Sequence, residues 1–290
     1  VKEQVTVMKV KIRIGNEVKE YTGAWEDHTL LEVFQELGIT QVHAPCGGNG
    51  TCKKCLVTVE GLGEVLSCQT QCKDDMCVTV AEEQKSAIAE NGNCYLYPAD
   101  AGEGLLAACD IGTTTVVCHL LDGATGVRLC TVSAPNAQRS FGADVISRIQ
   151  ASVDSGLDKL QSAIVDQING MLVQLKQKAG RTEEIRRLAV AGNTVMSHLF
   201  CGLSPESIGV APFTPLSLFG ESYDAKQIGI EGCETVYVVP SIAGYVGGDI
   251  VADLAAVQMH SSVLAEDGEK ETLLLDIGTN GEMVLGKSGS

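Results

Sequence analysis

Residues 105–122, "LLAACDIGTTTVVCHLLD", read as an apolar strand, a tight turn at "DIGTTT" and a second apolar strand. Gly112, between Asp110 and Thr113, lets backbone amides approach phosphate oxygens, and the hydroxyls of Thr113, Thr114 and Thr115 add donors. The carboxylate of Asp110 repels phosphate, so it would act through Mg²⁺ or the water around it. Alone, the segment reads equally well as a turn with β-favouring threonines. It is not alone. Residues 272–286, "TLLLDIGTNGEMVLG", repeat strand, turn and strand, with Asp276, Gly278, Thr279, Asn280 and Gly281 in the second turn. Two such units predict two related lobes, each offering a phosphate hairpin to a shared cleft.

Between the hairpins, strands and helices alternate. "ADVISRIQAS" has helical periodicity, and residues 157–176 place Leu157, Leu160, Ile164, Ile168, Leu172 and Leu175 on one helical face. "RRLAVAG" and "ETVYVVP" read as strands. "NTVMSHLFCGL" reads as a helix capped by Asn193 and Thr194, and "IVADLAAVQM" as another. Alternation of this kind predicts an α/β lobe. Asp249, at the head of the last helix, is either an N-cap or a cleft acid that positions a metal-bound water or a nucleophile. His119 and His198 read as packing residues. "GEMVLGKS" matches the letters of a P-loop, but its middle belongs to a strand and no helix follows in the sequence, so the match is chance.

Upstream, "APCGGNGTCKKC" (residues 44–55) carries Cys46, Cys52 and Cys55 on a glycine-rich loop, and Cys68 follows in "VLSCQT". Zinc sites more often use two short cysteine pairs. Glycines let N–H groups turn toward cluster sulfides, as in 2Fe–2S loops of plant-ferredoxin type, although this spacing is one residue longer. A 2Fe–2S cluster is therefore expected, with structural zinc as the alternative, and Cys72 or Cys77 competes with Cys68 as fourth ligand. The other six cysteines read as core thiols. Around the loop, "VTVMKVKIRI" alternates at period two, "VKEYTG" pairs with it, and "TLLEVFQEL" is a helix stopped by Gly38. "CLVTVEG" and "MCVTVAEE" add strands, giving a small α+β sheet domain.

The 290 residues, 44% hydrophobic and 20% charged, suffice for about two domains. A net charge of −16 repels phosphate backbones, so nucleic acid is not an expected partner. No apolar run is long enough to span a bilayer and no signal-peptide pattern opens the sequence, so no membrane association and a cytoplasmic location are expected. Twelve cysteines in that setting point to metal or redox chemistry rather than disulfides. The start at Val1 and the stop soon after the second "DIGT" turn read as those of a fragment. The expected division is 1–84 for the cysteine domain, 85–104 for a linker, 105–271 for the first lobe and 272–290 for the first hairpin of an incomplete second lobe.

The paired "DIGT" hairpins resemble those of the actin, sugar-kinase and heat-shock ATPase superfamily. The whole order resembles the reductive activators of corrinoid-dependent enzymes: "CGGNGTCKKC" with "LSCQT", then "DIGTTTVV", "FGADVISRI", "LAVAGNTVMSHLFCGL", "APF", "VPSIAGYVGGD" and "LLLDIGTNGEM". That resemblance implies an N-terminal ferredoxin-like (β-grasp) α+β domain joined to an α/β actin-like ATPase lobe. It implies cluster ligands at Cys46, Cys52, Cys55 and Cys68, and nucleotide contacts at Asp110 to Thr115 and Asp276 to Gly281. It further implies ATP with Mg²⁺, a corrinoid protein of a methyltransferase system as partner, an upstream electron donor, and an arrangement compatible with a homodimer. The activity implied is ATP-driven return of an electron to Co(II). Two other readings remain: an electron-transfer protein whose actin-like part docks partners without hydrolysis, and a small-molecule kinase with a redox-sensing cluster.

Overall fold

The computed structural model describes residues 7–39, 41–42, 44, 48–81, 102, 104–257, 271–278 and 281–287. Cys46, Cys94, Thr279, Asn280 and nearly all of the expected linker lie outside these residues. The chain divides into two compact units: residues 1–88 with 137–154, and residues 89–136 with 155–290.

In the first unit, β1 (Met8–Ile14) pairs antiparallel with β2 (Glu17–Gly23) and parallel with β5 (Met76–Val80). β3 (Leu56–Val59) joins β5 to β4 (Gly63–Leu66), so the sheet runs β2-β1-β5-β3-β4. One helix, α1 (Leu30–Glu36), covers it, burying Leu30, Leu31, Val33 and Phe34 with Val10, Ile12, Val57 and Val78. The helix starts where a capping box forms. Glu32 N–H donates to Thr29 Oγ1 at 3.3 Å and Thr29 N–H donates to Glu32 Oε2 at 2.6 Å, so two terminal donors are satisfied. The result is the β-grasp arrangement expected for a ferredoxin-like domain. A second helix, α2 (Val145–Ala151), capped by Asp144, belongs to this unit as well, and Gln35 Nε2 donates to Ser140 O at 3.0 Å.

The second unit is built on a six-stranded sheet of order β10-β11-β9-β6-β7-β8. β6 (Leu105–Ile111), β7 (Thr115–Asp122) and β8 (Arg128–Pro135) form an antiparallel meander. β9 (Ile185–Gly192) lies parallel to β6, β11 (Cys233–Val238) parallel to β9, and short β10 (Ser222–Asp224) closes the edge. Three antiparallel strands followed by parallel ones, with helices between, make the α/β lobe of the actin-like architecture. α3 (Leu157–Ala179) buries the predicted apolar stripe, Leu157 apart, against β7, β8 and α4 (Thr194–Cys201). α5 (Ala225–Ile228) and α6 (Gly248–Ala256) complete the α-helices among the described residues, and β12 (Glu271–Ile277) pairs with β13 (Gly281–Lys287). Among the described residues no helix is long and apolar enough to cross a membrane.

Cys109, Cys118 and Cys233 are buried, whereas Cys130 and Cys201 are only partly so. His198 does more than pack. Its Nδ1 faces Thr194 O at 2.7 Å, and its Nε2 accepts from Leu216 N–H at 3.1 Å and Ser217 N–H at 3.3 Å. Two donors on Nε2 require the neutral ring with its proton on Nδ1, so His198 anchors the loop that follows α4.

Candidate functional site: a cysteine loop and an acidic cluster

In the first unit, β3 begins one residue after Cys55, and a single 3-10 turn, Ser67–Gln69, carries Cys68. Ser67 N–H donates to Cys55 O at 2.9 Å, which fixes the two segments side by side. Their sulfurs lie 3.3 Å apart, both buried. Cys52 is half-buried, and Lys54 N–H points at its Sγ from 3.4 Å. Gly48 holds φ at 87°, which a glycine adopts without strain, and a Cβ there would stand 3.8 Å from Cys68 Cβ. Cys72 is also buried, but its Sγ faces Lys73 O at 4.0 Å. Among the described residues no three ligating side chains converge on one metal position, Cys46 lying outside them. The buried thiol pair, a backbone N–H directed at sulfur and the glycine-lined loop fit the donor set of an iron–sulfur cluster.

In the second unit, the turn joining β6 to β7 is Gly112-Thr113-Thr114. A Cβ on Gly112 would meet Thr115 O at 2.6 Å, so only glycine passes here. Asn193, the N-cap of α4, donates from Nδ2 to Thr113 Oγ1 at 3.1 Å and accepts Met196 N–H at 3.0 Å. Gly247, the N-cap of α6, lies against Asn193, where any side chain would clash, and this sets α6 beside the turn. Asp249 is therefore not the cap but a first-turn residue, its carboxylate accepting Ile250 N–H at 2.9 Å.

Carboxylates gather here. Asp110 is pushed up to about 7, first by the protein crowding it and then by Asp249, Asp253 and Asp276. Its side chain is nevertheless open to solvent, so water screens part of that push but leaves its upward direction. Asp249 and Asp253 are raised by desolvation and by the negative charges around them, Asp276 included, and Glu282 is raised by desolvation, Asp249 and Asp276. The two aspartates of the repeated turns, Asp110 and Asp276, thus lie within electrostatic reach of each other. Among the described residues no three of these carboxylates converge on one metal position, so a hard cation here would be reached in part through its own waters.

Residues 105–262, more than half of the chain, match the family described as the RACo middle region. The chain belongs to the RACo family of reductive activators of corrinoid-dependent enzymes. Residues 10–83 of this RACo-family chain match the 2Fe-2S iron-sulfur cluster binding domain, which favours a cluster over zinc. A similar curated protein is the corrinoid activation enzyme RamQ of Eubacterium limosum, 30% identical over 90% of this chain and 56% of its own. A solved structure titled as a reductive activator for corrinoid, iron-sulfur protein superposes with a TM-score of 0.58 at 27% identity, covering 96% of this chain and 61% of that one. The RACo-family chain thus spans a little over half the length of these relatives.

Of the residues singled out by sequence, the structure brings Cys55 to Cys68 and sets Asp110, Asp249 and Asp276 within electrostatic reach of one another. Gly278 follows the end of β12 and Gly281 opens β13. Sequence reading missed Asp253 and Glu282, each of which shares a helix turn or strand with a residue it did name. It also missed Asn136, whose role depends on a residue 24 positions earlier.

Proposed function

We propose that the complete protein restores Co(I) in a corrinoid protein of a methyltransferase system by passing one electron to inactive Co(II), with ATP driving that unfavourable step. When bound, the 2Fe–2S cluster supplies the one-electron carrier, refilled by an upstream donor, and MgATP supplies the free energy. Cys46, Cys52, Cys55 and Cys68 would hold the iron, with the loop glycines turning N–H groups toward sulfur. The turns Asp110 to Thr115 and Asp276 to Gly281 would grip phosphates from two sides. Asp110 and Asp276 would hold the Mg²⁺ waters, and Asp249 would orient the attacking water. Residues 1–84, 105–271 and 272–290 serve as the cluster domain, first lobe and opening of the second lobe, joined by the segment 85–104. Nucleotide can favour a closed arrangement of the lobes only by binding it more tightly than the open one.

The observation that carries the reading is that Asp110 and Asp276, one from each repeated turn, lie within electrostatic reach of each other, in the same chain as a buried thiol pair. ATP hydrolysis by the complete protein and by Asp110→Ala tests it. A fall of at least about tenfold in the variant supports a hydrolysing activator; equal rates favour a docking module that hydrolyses nothing.

A further inference from the structure

Asn136, at the end of β8, is fully buried and holds the nucleotide turn from behind with two bonds. Its backbone N–H donates to Thr114 O at 2.9 Å, and its side-chain Nδ2 donates to Gly112 O at 2.8 Å. A trans peptide is planar, so the carbonyl of one residue and the N–H of the next point in opposite directions. Two bonds to one residue therefore fix the facing of two peptide planes, 112–113 and 114–115. The first of these is the one most in need of fixing. Gly112 has no Cβ to favour one orientation of its peptide over the other, and its tight packing on Thr115 O leaves that choice to its hydrogen-bond partner.

The side-chain chemistry suits the task. An amide donates to the carbonyl, whereas a carboxylate at this position would repel it and a hydroxymethyl group would fall short of it. Asn193 meets the same turn through the Thr113 hydroxyl, so two asparagines from two different strand ends fix it.

We propose that Asn136 is the positioning residue of the nucleotide turn: its side-chain amide holds the Gly112 carbonyl inward, so that the turn meets a phosphate with its N–H edge rather than with a carbonyl oxygen. This rests on the reading of the turn as a phosphate site. A reversed 112–113 peptide would turn a partial negative charge toward the phosphate beside Asp110, and a turn that must be reoriented at each binding event loses affinity.

The test is calorimetric titration of the complete, cluster-loaded protein with MgATP, for the wild type, Asn136→Ala and Asn136→Asp. Melting temperature and cluster absorption are followed in parallel. The expected result is a folded variant that binds MgATP about tenfold or more weakly, the effect of losing one hydrogen bond and the order it imposes. For Asn136→Asp, the gap to wild type should narrow as pH falls, because a protonated carboxyl can again donate to Gly112 O. A purely structural role would show no such recovery at constant melting temperature. Wild-type affinity in a folded variant overturns the proposal. So does failure of both variants to fold, which would make Asn136 a residue of the fold alone. Absence of MgATP binding by the wild type would instead bring down the nucleotide reading itself, and this inference with it.

Discussion

Cys55 and Cys68 hold their sulfurs 3.3 Å apart inside the core of the first unit, drawn together by the Ser67 N–H bond to Cys55 O. A thiol pair set by backbone hydrogen bonds is preorganised to ligate, and replacing either sulfur by oxygen would remove a proposed ligand without disturbing the frame. Cys55→Ser and Cys68→Ser should each lose most of the visible absorption and the EPR signal of the reduced cluster. Cys72→Ser, whose sulfur faces Lys73 O, should retain both.

Asp110 links the acidic cluster to pH. Its carboxyl is raised to about 7 in the fold, against roughly 3.9 in an unfolded chain. Its contribution to stability is therefore fully present below about 4 and is lost as pH rises through 7. Asp110→Asn should melt higher than wild type at pH 8 and at the same temperature at pH 4. Mg²⁺ should raise the wild type at pH 8 and close the gap. Thermal melts at the two pH values, with and without Mg²⁺, check it.

The opposite sign holds for His198. Burial lowers its pKa below the ordinary value, and a proton on Nε2 would face the N–H groups of Leu216 and Ser217. Its contribution is full above about 6.5 and is lost as pH falls below that value. Limited proteolysis should cut residues 209–221 faster at pH 5 than at pH 7.5. His198→Gln, which cannot gain a proton, should show the smaller change.

The capping box of α1 predicts a stability loss of about 1 kcal/mol for Thr29→Ala, which removes the oxygen that accepts Glu32 N–H. Denaturant unfolding of the protein would show an earlier transition for the cluster domain, with the cluster spectrum intact in native buffer.

The features legible in the sequence were those whose chemistry is local. A cluster loop needs cysteines among glycines, so the 2Fe–2S domain announces itself within a dozen residues; the tight turn at Gly112 to Thr114 was visible in the same way, its phosphate role belonging to the proposed function. The alternation of strand and helix was equally visible, because β6, β9 and α3 each bury one regular face. What sequence could not supply were relations made by folding. Asn136 reaches back to Gly112 across two strands, and Asp253 and Glu282 join the acidic cluster only once α6 and β13 are in place. Asp249, which precedes an apolar helical run, read as either a cap or a cleft acid; the helix begins at Gly248, with Gly247 as the cap packed on Asn193. The three residues of β10 are too few to show a period. Nor does any sequence mark assign residues 137–154 to the same compact unit as the cysteine domain.

In the proposed activity, nucleotide drives the electron from the cluster to cobalt. Its most direct measurement is the absorption spectrum of a Co(II) corrinoid protein mixed with the complete activator and a strong reductant, with and without MgATP. Rapid appearance of the Co(I) spectrum only with MgATP, abolished in Cys68→Ser and slowed in Asp110→Ala, is the predicted result. Co(I) forming at the same rate without MgATP would contradict it.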